Sequence, residues 1–266
     1  MYQNAGLNFN FNAQTKKLWW VGANINGGPN RNDFYEPRSY GRVFKDKGRI
    51  NVNLWWESNS SKKLSWGGSL YAGTGGVFNR KNLEYNLFGK IRFSSKFSVD
   101  GSVNVSSSKN QSGFAGRVGS LGDTIIFSRR NVNSVENVLN IKYNFTNRMG
   151  LTLRARHYWS KVNPVEFYEL DKYGDLQTPN APFTQNVKQN YNYLSVDMVY
   201  NWQFAQGSFF SIVWKDIGES FNRQFEKNYV KNLGNTVDGQ QFNSLSVRVI
   251  YFLDYLTFKN KLKKKP

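Results

Sequence analysis

The 266-residue chain has no cysteine, one histidine, six prolines and half as many acidic as basic residues (18 against 36). Without cysteine, a disulfide framework and any thiolate metal site are excluded outright. With His157 alone, the histidine-based catalytic triads and most transition-metal sites lack their material. No run reaches the roughly 18–20 apolar residues of a transmembrane helix. No helix-period segment, internal repeat or low-complexity linker stands out either. The opening MYQNAGLNFNFNAQ has neither a basic start nor a continuous apolar core, so it is not a signal peptide. It reads as a strand already, with Ala5, Leu7, Phe9 and Phe11 opposite Gly6, Asn8, Asn10 and Asn12. A chain that opens in mid-strand suggests a mature form, or a fragment of something longer.

What the chain does have is rings: 21 Phe, 15 Tyr and 8 Trp, 17% of all residues. They coexist with a mean hydropathy of −0.62. Segregating so many rings from so much Asn, Ser, Lys and Arg needs a backbone that alternates residue by residue, which is the period of a β-strand.

That alternation recurs from end to end. Ile50, Val52, Leu54 and Trp56 oppose Arg49, Asn51 and Asn53; Leu83, Tyr85, Leu87, Ile91 and Phe93 oppose Glu84, Asn86, Lys90 and Arg92. Phe97, Val99, Val103 and Val105 oppose Ser98, Asp100, Ser102 and Asn104. The stretch FNSLSVRVIYFLDYL (242–256) closes the series as one long strand with Leu245, Val247, Val249, Tyr251, Leu253 and Tyr255 on one face. About eleven strands of roughly 9–12 residues result, longer than the ~5–6 of ordinary globular strands and close to the ~9–11 of a tilted membrane span. Short turns at 13–16, 94–96, 146–148 and 205–207 alternate with long polar stretches at 27–47, 106–133, 162–190 and 218–240, the 73–81 link being shorter. Outer-membrane barrels sort their connections in this way. Aromatics near strand ends, such as Trp19, Trp20, Trp66, Tyr143 and Trp202, suit interfacial girdles. A β-sandwich would also bury aromatics, but it would not sort its loops by length. The prediction is therefore an all-β fold over 1–255: an antiparallel, up-and-down transmembrane β-barrel of about 11–12 or more strands, incomplete at its N-terminal side. A basic tail follows at 256–266.

On that reading the alternate residues line a lumen. The charged candidates are Glu84, Lys90, Arg92, Asp100, Glu136, Lys142, Arg154, Arg156, Asp197, Lys215 and Arg248. Their mixed signs suggest ion pairs across strands rather than a single-sign filter. Unpaired charges of this kind would cost several kcal/mol each in a sandwich core.

Chemistry-bearing motifs are scarce, and no catalytic residue, metal ligand or cofactor is expected. His157 lies on the apolar register close to a strand end, an interfacial position. Glu166, Glu169, Asp171 and Asp175 cluster in the 162–190 loop, but their spacing matches no calcium loop, and a solvated loop explains them. GTGG (73–76) reads as a turn, with no helix after it to hold a phosphate. The net charge of +18 raises nucleic acid as a partner, yet Lys and Arg form no stripe and no RNA-binding motif, so none is expected. Lipopolysaccharide phosphates or acidic glycans suit the charge better.

The run IIFSRRNVNSVENVLNIKYNFTNRMGLTLRARHYWSKV (125–162), with the SLSVRVIYFLDYL ending, resembles the C-terminal barrel region of a Bacteroidetes outer-membrane family catalogued as domain of unknown function 5916. The resemblance extends over most of the chain. It implies the C-terminal part of a longer protein in the bacterial outer membrane, usually preceded by a family 9-type carbohydrate-binding domain that this sequence lacks. It carries no catalytic residues. The expected partners are outer-membrane lipid and lipopolysaccharide, glycans, and the barrel-assembly machinery, which reads aromatic terminal strands. The leading expectation is a channel or surface module linked to glycan handling. The alternatives are a surface-anchored carbohydrate-active hydrolase using the loop carboxylates, and a soluble β-protein that binds a partner through exposed aromatics.

Overall fold

The computed structural model of the protein describes residues 2–119, 122–226, 228–253 and 255. The basic tail expected at 256–266 lies outside the described residues. The elements run β1 (Leu7–Gln14), β2 (Trp20–Gly28), β3 (Arg31–Asp33), β4 (Phe44–Asp46), β5 (Arg49–Glu57), β6 (Leu64–Gly75) and β7 (Arg80–Arg92). They continue with β8 (Phe97–Val118), β9 (Thr124–Thr146), β10 (Met149–Leu170), β11 (Leu176–Gln177), β12 (Gln189–Ala205), β13 (Ser208–Asn222), α1 (Tyr229–Val237) and β14 (Gln241–Ile250). The fold is all-β and antiparallel, as the alternation predicts.

Eleven strands form one meander in the order β1-β2-β5-β6-β7-β8-β9-β10-β12-β13-β14, and β11 adds to β10. The hairpin β3–β4 stands apart. Strands β1 and β14 are the two edges, and among the described residues no ladder joins them.

Directly opposed residues in an antiparallel ladder share a face, so the register extends the two-residue period across the whole sheet. One row reads Ala13, Val21, Trp56, Gly68, Leu87, Val103, Asn137, His157, Leu194, Gly218 and Gln241. This is the face of the apolar residues picked out by the alternation. Along β7, Leu83, Tyr85 and Leu87 are 45%, 46% and 53% exposed, while Asn82, Glu84 and Asn86 between them are half-buried. The sheet therefore curls toward its polar face and turns its apolar face outward.

The two ends of the sheet differ. At one rim the turns are short: Ser94–Lys96 tie back through the Ser94 hydroxyl to the Lys96 and Phe97 N–H groups. Gly207 sits at φ +71 between β12 and β13, where a Cβ would come within 2.9 Å of Phe252 Cβ. At the other rim the described residues of the long stretches extend strands and form a hairpin and a helix. The sequence places loops at 106–133 and 162–190, but β8 runs to Val118, β9 starts at Thr124 and β10 reaches Leu170. Polar composition hid these extensions, because packing rather than propensity holds them. Ile125, Ile126, Phe127 and Ser128 are buried in succession, so both faces of β9 are covered there. Phe44 of β4 packs on Phe127 with 4.8 Å between ring centroids, and Phe183 packs on Phe167 at 4.7 Å. At the chain's far end the final strand is shorter than the alternation suggests. It stops at Ile250, which opposes Phe209 near the start of β13, the strand that pairs with it among the described residues.

The β3–β4 hairpin leaves the sheet between β2 and β5 yet bonds to the far end of β10. Arg42 donates to the Leu170 and Asp171 carbonyls at 2.7 and 2.9 Å, and Lys45 pairs with Asp175 at 3.0 Å. Strands that are five neighbours apart in the ladder are bridged by a single loop only if the sheet is strongly curved. Asp46 is the hub. It is 7% exposed, pairs with Arg31 at 3.1 Å, and accepts from the Val77 N–H at 3.0 Å. Asp46→Ala would strand the Val77 amide and the Arg31 guanidinium. We expect it to lower stability by about 1–3 kcal/mol and to accelerate proteolytic nicking within 29–48, with the sheet's circular dichroism retained. Unchanged stability and unchanged cleavage would contradict this role.

Candidate functional site

The eleven charged residues singled out from the sequence all fall on the polar, concave face. One row runs Lys90, Asp100, Asn140, Arg154, Asp197, Lys215 and Ser244 across seven strands. Opposite charges meet across ladders: Lys215 with the directly opposed Asp197 at 3.3 Å, and Arg156 with the diagonal Glu136 at 2.5 Å. The other two carboxylates are held by amides, Asp100 by Asn140 at 2.8 Å and Glu84 by Asn104 at 2.9 Å. Arg92 reaches the Lys62 carbonyl at 3.1 Å and the Ser60 carbonyl. Lys142, Arg154 and Arg248 make no ion pair among the described residues. Toward β1 the same face becomes a lattice of amides. Asn26 donates to Asn24, Asn51 to Asn26, each at 2.9 Å, and the Tyr71 hydroxyl donates to Asn51 at 2.7 Å. Half-buried, mixed-sign and rich in donors and acceptors, this surface can hydrate and hold polar solutes.

The acidic candidates are not loop residues held in common. Glu166 and Glu169 lie within β10, past a register shift between Pro164 and Glu166, and only Asp171 and Asp175 follow the strand. Glu166 accepts from the Tyr168 hydroxyl at 2.6 Å and pairs with Arg129 at 3.0 Å, so its carboxyl sits below the usual range, the Tyr168 hydrogen bond being the larger cause. Asp171 organises the turn into β11, accepting from the Asp175 and Tyr173 N–H groups. The Asp175 amide is the chief reason its carboxyl is also held low. Asp175 pairs with Lys45, and among the described residues Glu169 has a 3.4 Å contact from Asn180. These carboxylates are tied to structure one by one. Among the described residues no group of three or more His, Asp or Glu could hold a metal ion.

A feature the sequence did not disclose lies on the convex face. Helix α1 forms where no helix was expected, because its YVKNLGNTV is rich in β-branched residues, Asn and Gly, all weak helix formers. The one local signal is Asn228, an N-cap whose side chain accepts from the Lys231 N–H at 3.1 Å. Tertiary bonds supply the rest. His157 is not near a strand end but inside the 22-residue β10, and it is only 5% exposed beneath α1. Asn137 donates to the Tyr229 hydroxyl, which lies 2.8 Å from His157 Nδ1; the hydroxyl proton is then free to point at that nitrogen. Asn192 and Asn232 bond each other side chain to side chain, and Trp159 lies 5.7 Å from the Tyr229 ring. Between helix and sheet runs an open groove of about 740 Å³ whose walls include Trp66, Leu87, Val103, Leu139, Leu194 and Leu233.

Comparison with known proteins gives one family and little else. No curated protein matches the chain. A solved structure, LpxR from Salmonella typhimurium, overlaps 94% of this chain and 90% of its own at 8% identity and a TM-score of 0.28, too low to support an argument about either fold or function. The family model described as Domain of unknown function (DUF5916) matches residues 1–262. Spanning nearly the whole sheet, that match establishes that the chain belongs to the DUF5916 family.

Proposed function

We propose that this chain is the wall of an outer-membrane β-barrel whose polar concave face lines a solute path, acting as a channel or surface module in glycan handling. The observation that carries the reading is the exposure of large apolar side chains across the meander, most of them on one face. Leu7 at 86%, Leu245 at 68% and Val247 at 60% belong to the same face as Ile50, Leu54, Leu70, Leu87 and Leu139, all exposed. A face of this extent far exceeds the few hundred Å² of apolar patch that a soluble monomer exposes. In lipid it is an ordinary surface, and the same solvent explains why the backbone bonds are satisfied by ladders. The sorting of short and long connections to opposite rims fits this orientation, with the ordered β3–β4 side outward and the short turns toward the periplasm. Glycans enter through the resemblance of this family to barrels that follow sugar-binding modules, and the amide-rich polar face is chemically suited to hydroxyl-bearing solutes. Eleven antiparallel strands leave β1 and β14 running in the same direction. An all-antiparallel closure therefore takes an odd number of further strands between them.

Two outcomes are expected of the wall once those further strands close it. Refolded in detergent together with them, the chain should be monodisperse and rich in β-structure, with a gel mobility that shifts only after boiling. Monodispersity in plain buffer with no shift would favour a soluble β-protein instead. In planar bilayers the conductance should prefer anions by about two-fold, because seven Lys and Arg face four carboxylates in the charged set on the concave face. Replacing Arg154 and Lys90 with Gln should bring the reversal potential toward zero. A cation preference in the unaltered protein would contradict the assignment of that face to the pore.

A further inference from the structure

The polar face carries an excess of cations, and at one place three of them gather with no acid among them. At the short-turn rim, Lys96 from the β7–β8 turn, Lys142 of β9 and Arg148 from the β9–β10 turn line one polar pocket of about 500 Å³. No carboxylate lines it. Its other polar walls include Asn144, Asn201 and Gln203. Lys142 and Arg148 have no ion-pair partner among the described residues, and Lys96 has only the Phe145 carbonyl at 3.3 Å. The nearest acid in register is Asp100, one step up the face from Ser98, which opposes Lys142; Asp100 is already taken by Asn140.

The pocket is built rather than incidental. The ladder shifts register between Met149 and Gly150, and Gly150 opposes both Asn144 and Asn201. A side chain at Gly150 would start 3.0 Å from the Asn144 amide oxygen, so glycine leaves that floor open. Both turns that carry cations are pinned to neighbouring strands. The Asn144 N–H donates to the Lys96 carbonyl and the Gln203 N–H to the Arg148 carbonyl, each at 2.8 Å. The cations are thus presented from fixed backbone, and an anion between them would relieve their mutual repulsion.

We infer that this rim pocket binds a phosphate-bearing ligand. A guanidinium offers a planar fork of donors and two ammonium groups add point charges, a combination suited to an oxyanion of charge near −2. Amide side chains from Asn144, Asn201 and Gln203 supply neutral donors beside them. The space exceeds that of one phosphate and matches the ~300–1,000 Å³ of small-molecule sites, so the phosphate is one end of something larger. The described strands and turns form the pocket by themselves, so the inference does not rest on the membrane reading above.

The test is calorimetric titration of the full chain, folded in a non-ionic maltoside detergent, with inorganic phosphate against a constant chloride background. One saturable site per chain is expected. Lys142→Gln combined with Arg148→Gln should weaken it by about ten-fold or more, the scale of lost charge-assisted hydrogen bonds. Lys142→Arg should retain binding and Lys109→Gln, on β8, should leave it unchanged; β-sheet circular dichroism checks that each variant folds. Phosphatidylglycerol added to the micelles distinguishes the sources: competition assigns the site to a lipid headgroup, and its absence assigns it to a soluble phosphate compound. No saturable binding, or equal affinity in the Gln double variant, would overturn the inference.

Discussion

Everything in this molecule depends on one constraint, the two-residue period of a strand carried across ten antiparallel ladders, with register shifts confined to the parts of the strands toward the two rims. Directly opposed residues share a face, so a choice of Leu or Asn at one position is also a choice about which neighbours it meets on the next strand. Leu87 finds Gly68 and Val103; Asp197 finds Arg154 and Lys215. A one-residue slip in any ladder would carry an apolar row onto the ion pairs and expose charges among the leucines. The cross-strand pairs Arg156–Glu136 and Lys215–Asp197 therefore specify register at least as much as they stabilise, since exposed pairs of this kind are each worth only about 0–1 kcal/mol.

Curvature then gives the two faces different work. The polar face is half-covered by its own neighbours and by the β3–β4 hairpin, while the apolar face is left outward. The exception to that outward apolar surface is also the most polar contact on it. Asn137, His157, Asn192 and Asn232 would be out of place beside leucines, but α1 covers them and each is hydrogen-bonded. The two rims differ as well. One carries three long strands and a packed layer around Phe44 and Phe127, and the other carries tight turns and uncompensated cations.

The architecture was legible in the sequence because alternation is a local signal. The apolar sets of β5, β7 and β8 and the eleven charged residues fall on the faces their parity assigns. What was not legible depends on contacts distant in sequence. The polar stretch SSSKNQSGFAG continues β8 only because β9 and the loop layer cover it. Helix α1 has one capping Asn and no favourable composition, and it exists because Tyr229 reaches Asn137 and His157. The rim pocket joins Lys96, Lys142 and Arg148 through turn placement; no spacing in the chain marks them as a group. Glu166 and Glu169 looked like loop residues for the same reason that β10 looked short, since a register shift after Pro164 breaks the alternation.

The central claim is that the convex face meets lipid, and the absence of native cysteine makes it directly testable. Single cysteines at Glu84, Tyr85, Asn86 and Leu87 would be labelled with a small fluorophore, and the protein inserted into vesicles containing spin-labelled lipid. Strong quenching at 85 and 87 with weak quenching at 84 and 86 is the predicted result. Uniform quenching, or none at any of the four, would contradict a membrane-spanning wall.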